Sequence, residues 1–215
     1  MIDVRMFTVG PVQENCFIVR RKGADRAVVV DPGDESERIV AALEALEIET
    51  VEAILLTHTH VDHVGAVAAL ARATGAPVYC PALEREILAD IDGSVGWLGL
   101  SGFESYDADE LLGGGEHLEL AGLAIDVIFT PGHSPGHLTY ALPEHEALVV
   151  GDVLFRGSVG RVDLPGGDWE ALLDSIATLF DGYSQQTLVL PGHGPQTSLE
   201  EERRSNPFLT ELAAR

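Results

Sequence analysis

Six consecutive residues, His58-Thr59-His60-Val61-Asp62-His63, carry three imidazoles and a carboxylate. They follow an apolar run, Ile54-Leu55-Leu56-Thr57, and three further runs end in the same kind of residue. Val127-Ile128-Phe129-Thr130 leads into Pro131-Gly132-His133, Leu148-Val149-Val150 into Gly151-Asp152, and Leu188-Val189-Leu190 into Pro191-Gly192-His193. Each donor then stands where a buried strand meets a loop, a common station for functional groups on a rigid scaffold. Five imidazoles and two carboxylates, with no thiolate, are enough for two cations that share one carboxylate. The chemistry such a set supports is two-metal hydrolysis. Coordination lowers the pKa of water toward neutrality and sets positive charge against a developing oxyanion, so no serine or cysteine nucleophile is required. A lone histidine usually caps a helix or satisfies a buried backbone group, but seven candidate donors at four strand ends are hard to assemble by accident.

The spacing divides the donors. Side chains at i and i+2 of an extended segment face the same side, so His58 and His60 can grip one ion. Asp62 and His63, at the start of the next helix, turn toward a second, and Asp152 is the natural bridge. Asp62 can also orient or deprotonate the water. Nitrogen and oxygen ligation is compatible with zinc, iron or manganese, zinc being the favoured divalent ion. His137, four residues after His133, is either a support behind the ligands or a structural histidine, and His117 and His145 read as surface residues.

The elements that must position these groups follow from periodicity. Strands are expected near residues 3–9, 15–20, 27–31, 52–57 and 77–80, with helices over 35–46 and 63–74. In the second half, strands are expected near 116–120, 123–130, 137–142, 146–151 and 187–190, a helix around 168–180 and a short one after Ser198. Two β-rich halves with outer helices predict an α/β four-layer αββα sandwich with the site at one edge. Residues 91–105 form the least regular stretch and hold Trp97, Leu98, Leu100 and Phe103 between glycines. They are read either as a lid over the substrate or as a satellite core or oligomer contact.

At 215 residues and 46% hydrophobic content, the chain fits one domain, residues 1–215, with a substantial core. Thirty-five acids against 13 bases leave a net charge of −22, which would repel a polyanion and favours small-molecule chemistry over nucleic acid. No apolar segment approaches membrane-spanning length and no signal-peptide pattern is present, so a soluble cytoplasmic protein with no membrane partner is expected. Cys16 and Cys80 lie in apolar stretches and are expected as two buried thiols. Between Arg85 and Arg203 the basic residues are Arg156 and Arg161, both in the loop that follows Asp152.

The motif set resembles the metallo-β-lactamase superfamily, and most of all its glyoxalase II-like hydrolases of the short form. The resemblance runs from Gly10-Pro11-Val12-Gln13-Glu14-Asn15-Cys16 through Asp31-Pro32-Gly33, residues 130–136 and Gly151-Asp152-Val153-Leu154-Phe155 to Pro191-Gly192-His193-Gly194. It implies one metal on His58, His60, His133 and Asp152, and another on Asp62, His63, Asp152 and His193. It also implies hydrolysis of S-2-hydroxyacylglutathione or a related thiol ester through a metal-bound hydroxide, the thiolate being a leaving group with affinity for such ions. In glyoxalase II enzymes the loop after the bridging Asp supplies a cation to a glutathione carboxylate. Arg161 occupies the matching place, with Arg156 secondary; the alternative is that each arginine only anchors the loop, Arg161 through Asp163 or Asp168. The sequence runs 22 residues past His193, so the C-terminal helical domain that contributes to glutathione binding in full-length glyoxalase II is not expected. Asp163 and Gly194-Pro195 stand where aromatic partners are expected, and the tail from Arg203 to Leu209 resembles the short-form members. The competing reading within the same fold is a persulfide dioxygenase with a single iron on His58, His133 and Asp152. A lactonase would carry tyrosine at the position of Phe155.

Overall fold

An apolar run without polar alternation, such as Ala27-Val28-Val29-Val30, must be covered on both faces. Here Ala27 and Val29 enter one buried cluster, and Val28 and Val30 another. In the same way Leu148 and Val150 part from Ala147 and Val149. In the computed structural model, which describes residues 1–210 without the Leu98 side chain, three such clusters separate four layers among the described residues. The Leu98 side chain and residues 211–215, which belong to the expected lid segment and domain, lie outside what is described.

The first sheet takes β1 (Ile2–Val9), β2 (Glu14–Arg21), β3 (Arg26–Val30), β4 (Thr50–Leu55), β5 (Val78–Pro81) and β6 (Glu110–Leu112) in sequence order. The second sheet contains β7 (His117–Leu120), β8 (Leu123–Phe129), β9 (Leu138–Leu142) and β10 (Ala147–Gly151). A small hairpin, β11 (Leu154–Phe155) and β12 (Ser158–Val159), stands apart, and β13 (Leu188–Pro191) and β14 (Thr197–Ser198) complete the second sheet in the order β14-β13-β10-β9-β8-β7. Between the sheets, Phe17, Val28 and Leu55 share a core with Leu123, Tyr140 and Val149. On the outside, α1 (Ser36–Ala45), α2 (Val61–Val64), α3 (Val67–Thr74), α4 (Arg85–Ala89) and α5 (Ile91–Val95) cover the first sheet. Over the second sheet lie α6 (Trp169–Gly182), which buries Leu172, Leu173, Ile176 and Leu179, and α7 (Leu199–Ser205).

The pairing brings the donor loops to one edge. β10 and β13 are parallel, with Gly151 opposite Pro191, so Asp152 and His193 leave from neighbouring strand ends. Across the sandwich, Asn15 N donates to Gly192 O at 2.7 Å, and its amide donates to Pro191 O and Gly194 O at 3.0 and 2.8 Å. The start of β2 thus clamps the loop that presents His193.

Two expectations change in detail. The helix expected over 63–74 is two helices, because Ala66 N turns out of the helix to Pro32 O at 3.0 Å and a Cβ on Gly65 would press on the Gly33 carbonyl. The irregular stretch 91–105 contains α5 and a 3-10 turn; Ile91 and Phe103 pack into the first-sheet core, and Asp92 closes the loop by accepting from Gly102 N and Phe103 N at 3.1 and 2.8 Å. Strands β6, β11, β12 and β14 were not expected, since two or three residues carry no periodicity. No helix among the described residues is long and apolar enough to cross a membrane.

Candidate metal centre

The loop after β4 carries His58 and then His60, the latter in extended backbone, and leads into α2, whose first turn holds Asp62 and His63. The structure gathers His58, His60 and His133 into one group and Asp62, His63 and His193 into a second, donor atoms within 4.8 Å of one another in each. Asp152 lies between them. Its Oδ1 is 3.3 Å from His63 Nε2, and its Oδ2 is 3.5 Å from His133 Nε2 and 3.7 Å from His193 Nε2. His193 Nε2 also reaches Asp62 Oδ2 at 3.2 Å.

Hydrogen bonds fix which ring nitrogen faces inward. Thr57 Oγ1 donates to Asp31 Oδ2 at 2.6 Å, so its contact with His58 Nδ1 at 3.0 Å is one in which the imidazole donates. His133 Nδ1 donates to the Arg161 carbonyl at 2.7 Å, and His63 Nδ1 to Asp31 Oδ2 at 3.0 Å. In their neutral form all three rings therefore turn an Nε2 lone pair toward the centre, as ligating histidines held by a backing acceptor do. His58 Nε2, His63 Nε2 and Asp152 Oδ1 are buried and make no hydrogen bond. His133 Nε2 is met by His60 Nδ1 at 2.8 Å, but these three atoms are left without such a partner, and unsatisfied atoms converging in a buried site are what a cation satisfies. The donor set fits a pair of divalent ions.

Electrostatics divide the donors into two kinds. Burial, reinforced by neighbouring imidazoles, drives the proton affinity of His58 well below the ordinary range and that of His60 down to about 4, so both rings are neutral and ready to ligate. Burial opposes charge on His63 and His193 too. It is outweighed by Asp152 and Asp31 at His63, and by the Asp62 hydrogen bond at His193, so both are raised. Burial would raise Asp152, but His63, His133 and His193 hold it below the usual carboxylate range.

Residues behind the donors set their geometry. His137 Nε2 accepts from Asp152 N at 3.1 Å, while its Nδ1 meets Thr130 Oγ1 at 3.1 Å. These contacts hold the backbone of Asp152 and engage both ring nitrogens of His137. A Cβ at position 151, where φ is +47°, would run into Thr57 Oγ1 and approach His137 Nε2 to 2.7 Å, so only glycine permits Asp152 to stand there. Gly192 is required by crowding: its Cβ would fall on Asp152 Oδ1 and lie 2.6 Å from His63 Cε1.

Three groups escaped the sequence reading as site residues. Asp31, at the end of β3, also accepts from Thr57 N at 2.7 Å; its motif was visible but its role was not. Glu84 is buried and accepts from Thr59 N at 2.7 Å, Thr59 Oγ1 at 2.9 Å, Ser134 Oγ, and Gly136 N at 2.9 Å. It ties the His58–His60 loop to the His133 loop, and nothing in its local sequence marks it. Glu14, also buried, sits 3.8 Å from His63 Nδ1, and burial pushes its carboxyl well up.

The profile of the Metallo-beta-lactamase superfamily matches residues 9–193. The chain belongs to this superfamily. Among its relatives, the probable metallo-hydrolase YqgX of Bacillus subtilis (strain 168) is 39% identical over 95% of this chain and 96% of its own length. The hydroxyacylglutathione hydrolase GloC of Haemophilus influenzae is 32% identical over 97% of this chain and 98% of its own. Of solved structures, the BLEG-1 B3 metallo-beta-lactamase superposes with a TM-score of 0.91 at 38% identity, covering 97% of this chain and all of that one. TTHA1623 in a di-iron-bound form gives 0.84 at 42%, covering 95% of this chain and all of that one. The four-layer arrangement of two sheets flanked by helices is the metallo-β-lactamase fold.

A cavity of about 520 Å³ opens onto the superfamily centre, with His60, Asp62, His133, Asp152 and His193 on its floor. Arg161 is on its wall, its guanidinium forked onto Asp163 at 2.7 and 2.8 Å. Arg156 is exposed in the turn between β11 and β12 and is not part of the lining. His117 pairs with Asp126 and Glu119 on the surface, away from the centre.

Proposed function

We propose that the protein is a thioester hydrolase with a binuclear centre, acting on S-2-hydroxyacylglutathione or a related thiol ester. The observation that carries this reading is the pair of donor groups that share Asp152 and turn unsatisfied buried atoms toward each other. His58, His60 and His133 would hold one divalent ion, Asp62, His63 and His193 the other, and Asp152 both. When bound, the ions supply water of lowered pKa and positive charge against the oxyanion and the departing thiolate. Zinc is favoured; the di-iron form of TTHA1623 keeps iron as a candidate.

The chain's own groups do the rest. Asp62, part-buried and open to the cavity, orients the attacking water and takes its proton at a carboxylate oxygen. Asp31 and Glu84 keep the donor loops from relaxing, as geometry held to fractions of an ångström requires. Arg161 would meet a carboxylate on the thiol half of the substrate by exchanging it for Asp163. The net charge of −22 disfavours a nucleic-acid substrate. Two buried free thiols, Cys16 and Cys80, accord with a cytoplasmic location. The thioester step is supported by the full-length likeness to a relative named hydroxyacylglutathione hydrolase.

The test is the purified, metal-quantified protein on a panel of thioesters, oxygen esters, lactones, β-lactams and persulfides, with oxygen uptake recorded. The expected result is a kcat/KM for thioesters more than about tenfold above the matching oxygen ester, a discrimination of roughly 1.4 kcal/mol. Equal rates on all esters, a preference for β-lactams, or persulfide-dependent oxygen uptake would each overturn the assignment.

A further inference from the structure

The walls of the cavity differ in kind from its floor. Ile87 from α4, Val95 from α5 and Trp97 just beyond it form one side, and Phe155 and Leu164 line it from the segment after Asp152. Trp97 is 62% exposed. An indole left so open at the mouth of a cavity is costly in water and valuable to an apolar ligand.

The polar side chains on the walls are already satisfied. Thr59 Oγ1 donates to Glu84, Ser94 Oγ to the Asp90 carbonyl at 2.8 Å, and the Arg161 fork is filled by Asp163. Unengaged polar chemistry is concentrated at the metal-ligand floor, while the space above it is apolar and, at about 520 Å³, of a size that holds whole small molecules. A small hydroxylated acyl group would leave this surface wet.

Resting on the thioester reading, we infer that the substrate carries a bulky apolar acyl group, alkyl or aryl, packed against Ile87, Val95 and Trp97. Trp97 is the specificity-determining residue, and the segment 85–97 is a binding wall. Each methylene fully buried is worth about fourfold in affinity, so burying two or three of the six that separate octanoyl from acetyl yields about 10- to 100-fold.

The experiment uses acetyl, lactoyl and octanoyl thioesters of one uncharged thiol, on the metal-loaded protein and on Trp97→Ala. In parallel, the tryptophan emission of Trp169→Phe is followed during titration with the inert S-octyl and S-methyl thioethers of the same thiol. The expected result is an octanoyl kcat/KM at least tenfold above acetyl and lactoyl, with that ratio reduced at least fivefold in Trp97→Ala. Emission should shift to the blue with the octyl compound only. A lactoyl preference, or equal rates at all chain lengths, overturns the inference and leaves the thioester reading standing. If no thioester is hydrolysed, the thioester reading falls and the emission titration decides: an octyl-specific shift upholds the apolar binding wall, and identical responses to both thioethers end it.

Discussion

Replacing Glu84 by Ala removes a carboxylate that four donors share and that holds two ligand loops together. The hydroxyls of Thr59 and Ser134 can rotate to other acceptors, but the amides of Thr59 and Gly136 cannot. Each stranded buried donor costs roughly 1–3 kcal/mol, placing about 2–6 kcal/mol at risk. Relief from burying a carboxylate offsets part of this, leaving a loss of about 2–4 kcal/mol. At about 2–4 °C per kcal/mol for a chain of this size, the Tm should fall by about 4–16 °C. Because Thr59 separates His58 from His60 and Ser134 adjoins His133, cation affinity should also drop roughly 10- to 100-fold, the usual effect of losing a group behind the ligands. Glu84→Gln, which keeps the size but only one acceptor oxygen, should fall between. Thermal unfolding and titration against a chromophoric chelator measure both effects. A Glu84→Ala protein with cation affinity unchanged and Tm within about 2 °C of the parent would refute the reasoning.

Further outcomes follow from other positions. Gly192→Ala, which pushes a methyl group onto Asp152 Oδ1 and His63, should lose cations from both donor groups while remaining folded by circular dichroism; full metal content would contradict the close approach. Arg161→Ala should raise KM for a thioester with a carboxylate on its thiol by about two- to fivefold, the worth of an exposed ion pair, and change kcat little; equal losses on charged and uncharged thiols would make Arg161 a loop anchor. His117 is raised by its hydrogen bonds to Asp126 and Glu119, so its favourable contribution is present below the unfolded pKa and lost as pH rises through the folded one. Its imidazole resonance should titrate above the ordinary value of about 6.5, and return toward it in Asp126→Asn.

The order and type of the main elements were legible because buried strands and amphipathic helices carry strong periodicity, as in Ala27 to Val30 and in Ile39 and Leu43 of α1. The seven donors were legible because each sits at the end of such a run. What escaped was set by distance in sequence. Glu84 acts on residues 25 to 52 positions away and has no local signature, and the role of Asp31, which acts on His63 across 32, was hidden although its motif was not. The break between α2 and α3 was hidden for the same reason: Pro32 O and the Gly33 carbonyl, not a local breaker, impose it. Arg161 was legible as an isolated cation beside the site, but its fork onto Asp163 depends on side-chain geometry that sequence leaves open between Asp163 and Asp168.

The shared Asp152 between two donor groups is tested most directly by counting metal ions per chain in the parent protein and in Asp152→Ala. The arrangement predicts close to two divalent ions in the parent and loss from both groups in the variant. One ion per fully active chain, or an Asp152→Ala protein that keeps both, would contradict it.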